Sequence, residues 1–165
     1  MLRRAIDWML PERNPGRAVY GLITVGTLLA AESGLHDTYL EAVGSVVLAL
    51  LLYWLAHAYS EQLGDRLVTH ERLTSQALGR ALLREWAIVR GGALPLLALV
   101  IAWVAGASQE TGVLLGVWVT AGSVLAFELL AGLRSKSTPR ELLLEGCIGA
   151  TMGLAIVGLR VILHS

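Results

Sequence analysis

Four ionisable side chains lie within or at the end of apolar stretches of sequence: His57, Glu61, Glu128 and Glu145. Tyr53, His57, Glu61 and Asp65 recur every fourth residue, so on a helix they form a single stripe. Imidazole titrates near pH ~6.5, and a carboxylate held away from water is shifted upward, so such groups can pass protons or hold a small cation. Each also has a purely structural use. His57 can hydrogen-bond within the core, Glu61 can be solvated, Glu128 can pair with Arg134, and Glu145 with Arg140. His and Glu ligate divalent metals too, but no tight ligand motif such as HExxH occurs, so neither a metal nor a cofactor is expected. GxSxG and Walker motifs are also missing, and the chain is not expected to be an enzyme.

The elements that must position these residues follow from composition. Of 165 residues, 55% are apolar and only 16% are charged. Mean hydropathy is +0.64. A soluble domain carries about 25% charged residues, so this balance belongs to a membrane protein. Thirteen basic and 13 acidic residues cancel, which argues against a nucleic-acid partner. Cys147 is the single cysteine, which excludes an internal disulfide, and it reads as a small packing residue.

A membrane helix needs about 20 predominantly apolar residues. Five runs qualify, at about 18–35, 39–60, 86–106, 112–133 and 141–163. Lipid offers no partner to unpaired amides, so each run must be helical. The expected fold is therefore all-α: one polytopic membrane domain over 1–165, a bundle of five transmembrane helices. The connection at 62–85 carries a helical apolar stripe (Leu67, Leu73, Ala77, Leu78, Ala81, Leu82) with arginines mainly off it. It reads either as a cytoplasmic-side amphipathic helix on anionic lipid or as a continuation of the second helix. Ile6, Trp8, Met9 and Leu10 suit a short interfacial helix or a loosely ordered tail, and no signal peptide is recognised there.

Basic residues set the orientation. Arg3, Arg4, Arg13 and Arg17 precede the first span. Arg66, Arg72, Arg80, Arg84 and Arg90 flank the connection to the third, and Arg134, Lys136 and Arg140 precede the fifth. The connections at 32–38 and 106–111 contain neither Lys nor Arg. Twelve of 13 basic residues thus alternate as five crossings require, in a plasma-membrane protein with its N-terminus in the cytoplasm and its C-terminus outside. This puts His57, Glu61, Glu128 and Glu145 at similar depth near the inner leaflet, as a candidate polar vestibule. Burying such groups costs about 2.5–3.5 kcal/mol each on insertion scales.

Arg160, the exception, falls at the outer end near Glu32, Asp37, Glu41 and Glu110, so an Arg160–Glu32 or Arg160–Glu110 pair is expected there. Gly112 with Gly116, and Gly149 with Gly153, form small-xxx-small faces that pack helices within one chain or between copies. Pro95, behind Gly91 and Gly92, is expected to kink the third span.

VYGLI in the first span, YWLAHAYSEQLG in the second, LLREW before the third and GLRVILH in the fifth resemble a group of small bacterial integral membrane proteins common in actinobacteria. The resemblance covers most of the chain and implies a topology without an activity. Where that group has His-Glu-Trp-Pro, this chain has Arg84-Glu85-Trp86-Ala87, so nothing attached to that His and Pro carries over. The Phe-Ser-Asp filter motif of bacterial relatives of lysosomal potassium channels is absent.

The function expected from the sequence is a small oligomeric channel or transporter for protons or cations, in contact with membrane lipid. The competing class is an accessory or scaffold protein that binds lipid or a partner membrane protein.

Overall fold

The computed structural model describes residues 15–32, 38–70 and 74–164. Five α-helices make up the described chain: α1 (Pro15–Ala31), α2 (Tyr39–Thr69), α3 (Ser75–Val104), α4 (Gln109–Ser135) and α5 (Pro139–Leu163). The expected helix at residues 6–10, together with His36, Asp37 and Arg72, lies outside the described residues.

Helix starts are explicit in the sequence. Thr38, Thr74, Ser108 and Thr138 each sit in extended backbone and accept from the amide three residues on, which satisfies one of the orphan donors of a first turn. At α2 and α5 the third residue is a glutamate that returns the bond, Glu41 to the Thr38 amide and Glu141 to that of Thr138. His70 and Lys136, both at φ 57°, close α2 and α4 in the left-handed region.

One boundary differs from the sequence expectation. The connection at 62–85 is no separate amphipathic helix. Its first part extends α2 to Thr69 and its second part opens α3 at Ser75. A helix already stabilised by packing propagates through polar residues at little cost per residue, so hydropathy locates a span better than it locates a helix end. Pro95 lies inside α3, which runs unbroken for 30 residues.

Helices α2 to α5 are long and apolar enough to cross a membrane, as an integral membrane protein requires. The shortest helix, α1, has 17 residues and sits at the centre, packed against all four others. Its Leu22, Val25 and Leu29 are wholly buried, with Ile88 and Leu99 of α3 and Val117 of α4. Opposing residues show the directions. Arg17 meets Glu85 and Val25 meets Gly92, so α1 and α3 run parallel. Gly26 meets Thr120 and Leu29 meets Gly116, so α4 runs against α1. Gly132 meets Glu145 and Gly153 meets Ala121, so α5 again runs with α1. Trp54 Nε1 donates to the Leu82 carbonyl (3.1 Å) while Tyr39 reaches Ala107, which makes α2 antiparallel to α3. The five directions alternate, and Pro15 and His164 lie at opposite ends of the bundle.

Backbones come closest where glycine permits. A Cβ on Gly21 would lie 1.9 Å from the Ile88 carbonyl oxygen, and one on Gly91 would lie 1.8 Å from that of Ala18. The small faces named from the sequence are used within the chain. Gly112 and Gly116 receive Tyr39 and Leu29, and Gly149 and Gly153 lie against Leu125, Glu128 and Ala121 of α4.

Candidate functional site

Glu85 is the most consequential polar residue of the described chain. It is wholly buried, on a stripe of α3 that otherwise reads Ala81, Ile88, Gly92, Pro95, Leu99 and Ala102. A buried carboxylate must be paired or lose its charge. Its Oε2 lies 2.9 Å from Arg17 Nε of α1 and 3.5 Å from His57 Nε2 of α2. Its Oε1 accepts from Arg84 Nε at 3.3 Å. Oε2 has no aligned hydrogen bond, so its contacts with Arg17 and His57 are ion-pair contacts rather than directed bonds.

From this centre a chain of charges leads outward. The Arg84 guanidinium lies 3.5 Å from Glu61 and 3.6 Å from Asp65. The predicted stripe on α2 is therefore real: His57, Glu61 and Asp65 all face the Arg84–Glu85 pair. Its first member joins through aromatic contact, with ring centroids 6.3 Å apart for Tyr53 and His57 and 5.4 Å apart for Tyr20 and Tyr53. Trp54 and Trp86 pack edge to face beside the cluster, at 5.3 Å. His57 is one-third exposed and Glu85 is not exposed at all, so the imidazole stands between the buried carboxylate and the surroundings.

The four residues of the expected vestibule share one end of the bundle but fall into three places. His57 and Glu61 belong to the Glu85 cluster. Glu128 lines a cleft of about 350 Å³ between the start of α1 and the end of α4, beside Pro15, Gly16 and Arg134. Glu145 accepts from Ser137 Oγ at 3.0 Å, and its other oxygen rests over Gly132. The reason is topological: α2 packs on α3 and α1, whereas α5 packs on α4 and α1, so the central helix separates them. No ion pair joins Glu128 to Arg134 or Glu145 to Arg140 among the described residues. No group of three or more His, Cys, Asp or Glu able to hold a metal occurs among the described residues either.

At the opposite end, Arg160 does reach Glu32, through the backbone rather than the carboxylate. Its Nη1 donates to the Glu32 carbonyl, which His164 Nε2 also contacts at 2.7 Å. That carbonyl lies just beyond the last turn of α1, where the helix dipole favours a cation. This explains the one basic residue that breaks the alternation. No Arg160–Glu110 pair forms among the described residues; Glu110 occupies the first turn of α4, where an acid favours the helix.

In the sequence Glu85 reads as the end of a polar connection, which hides it among solvated charges. A signal existed. The spacing of the buried positions of α3, extended one turn towards the N-terminus, lands on Glu85. Arg17 carried no such signal, because its role depends on α1 lying beside α3.

The chain matches no family model, no curated protein and no solved structure.

Proposed function

We propose that this chain crosses the plasma membrane five times with its N-terminus in the cytoplasm, and that the Glu85–His57 pair is the proton-exchanging site of a small channel or transporter. Support for five crossings is the position of α1, enclosed by four apolar helices and parallel to α3 and α5. Its 17 residues extend about 25 Å, close to the hydrocarbon thickness. With that orientation the Glu85 cluster faces the cytoplasm, beside most of the basic residues.

The observation that carries the proposal is the 3.5 Å contact between a wholly buried carboxylate and a partly exposed imidazole. The imidazole can take a proton from water and present it to Glu85. Arg17 and Arg84 already supply fixed positive charge there, which disfavours capture of a metal or alkali cation. Beyond Glu85 the interior of one chain is apolar, through Leu22, Val25, Leu29 and Leu99. A continuous path therefore runs along a contact between copies, as in an oligomeric channel. Reconstituted in liposomes under a pH gradient, the wild type should carry protons, His57→Ala should lose most of the flux, and Glu128→Gln should keep it. Background-level flux for the wild type would remove the proposal.

A scaffold role is the second candidate, favoured by that same apolar interior. It requires a stoichiometric partner on purification in mild detergent, where the channel requires a homo-oligomer.

A further inference from the structure

Between the last turns of α2 and the first turns of α3 opens a cleft of about 500 Å³, within the size range of small-molecule sites. Its lining includes Gln62, Asp65 and Arg66 from α2, Thr74 at the cap of α3, and Arg80 and Arg84 from α3. Among the described residues, three guanidinium groups and one carboxylate thus line it. Arg84 is committed to Glu61, Asp65 and Glu85. Arg66 and Arg80 make no ion pair and no side-chain hydrogen bond among the described residues, and the buried Nε of Arg66 has no partner. The one lining carboxylate among the described residues, Asp65, pairs with Arg84, so Arg66 and Arg80 line the cleft from facing helices with unpaired like charges that repel unless an anion joins them.

We infer that this cleft binds a phosphate group, held between Arg66 of α2 and Arg80 of α3. Guanidinium cannot lose its proton at any working pH, so the site selects an anion whatever the state of His57. Its planar fork matches two oxygens of a phosphate, and a tetrahedral anion has oxygens for both walls at once, which a planar carboxylate lacks. The cleft is larger than phosphate alone, leaving room for the organic part of an ester. Gln62 and Thr74 add neutral polar atoms to the walls. The phosphate has two sources, an anionic lipid headgroup or a soluble phosphate compound. Neither Arg66 nor Arg80 touches Glu85, so the inference does not rest on the proton-exchange proposal.

The full chain in mild detergent separates the sources. Retention of phosphatidylglycerol against phosphatidylcholine is followed by native mass spectrometry, and the effect of inorganic phosphate on thermal unfolding is compared with chloride at equal ionic strength. The variants are Arg66→Gln/Arg80→Gln, the charge-keeping Arg66→Lys/Arg80→Lys, and Arg134→Gln as a distant control. A lipid site gives at least tenfold preferential retention of phosphatidylglycerol in wild type, control and lysine variant, lost in the glutamine variant, with no phosphate effect on unfolding. A soluble-phosphate site gives a rise in unfolding temperature with phosphate that the glutamine variant loses, and equal retention of the two lipids. Either pattern supports the site. A wild type that neither prefers phosphatidylglycerol nor responds to phosphate overturns it, as does a glutamine variant that matches the wild type in both.

Discussion

His57 Nε2 stands 3.5 Å from Glu85 Oε2, with the imidazole one-third exposed and the carboxylate wholly enclosed. The two residues come from α2 and α3, and Arg17 of α1 closes the group from a third side at 2.9 Å. One carboxylate thereby ties three helices together at the end of the bundle where most arginines lie. The contacts of α1 and α2 thus converge on a single oxygen of Glu85.

Removing that atom is expected to be costly. Glu85→Leu leaves Arg17 and Arg84 without their shared partner and should destabilise the bundle by about 3 kcal/mol, the lower part of the range for breaking a buried pair because Arg17 is partly exposed. Arg17→Met combined with Glu85→Leu should recover part of that loss, since no buried charge is left unpaired. Thermal or denaturant unfolding in detergent measures both.

Glycines divide sharply by what surrounds them. Gly91→Ala drives a methyl group against the Ala18 carbonyl and should cost about 1–3 kcal/mol, as overpacking does. Gly44→Ala and Gly122→Ala meet nothing within 4 Å and should be neutral or stabilising by up to about 1 kcal/mol, the helix-propensity difference. Unfolding midpoints of the three variants should separate in that order.

Arg160→Ala removes the cation from the carbonyl end of α1 and should lower stability by about 1 kcal/mol. Arg160→Lys should retain part of it. Neither change reaches the Glu85 cluster, so proton flux per folded molecule should stay at the wild-type level.

The proposed orientation and the alternating helix directions together make sidedness testable. With Cys147 replaced by Ser, single cysteines at Thr74 and Ser137 should react only with reagent reaching the cytoplasmic face. One at Ser108 should react only from outside. Labelling of Ser108 and Ser137 from the same side would contradict the crossing of α4.

Much of this arrangement was legible in the sequence, for physical reasons that also mark where legibility ended. Apolar runs located α2 to α5, because lipid demands length and hydropathy from each crossing. The four-residue spacing of His57, Glu61 and Asp65 placed them on one face, and the structure gives that face its partners, Arg84 and Glu85. The end of the bundle they occupy was legible as well, since Glu128 and Glu145 do lie at the same end as His57 and Glu61. Lateral position was not. Which helix neighbours which is decided by contacts such as Gly21 on Ile88, and no periodicity within one helix encodes them. Arg160 shows the same limit: its place at the other end of the bundle from Glu85 was readable, but its partner is a backbone carbonyl that no pairing of charges in the sequence would select.

The pairing of His57 with Glu85 is tested most directly by a double-mutant cycle on proton flux in liposomes, using His57→Ala, Glu85→Gln and the two combined, each normalised to folded protein. Groups that act as one unit lose function together. Each single variant should fall at least tenfold below wild type, and the double variant should fall no further than the worse single. Flux in the double variant that drops by the product of the two single losses, or single variants that conduct like the wild type, would contradict a shared proton site.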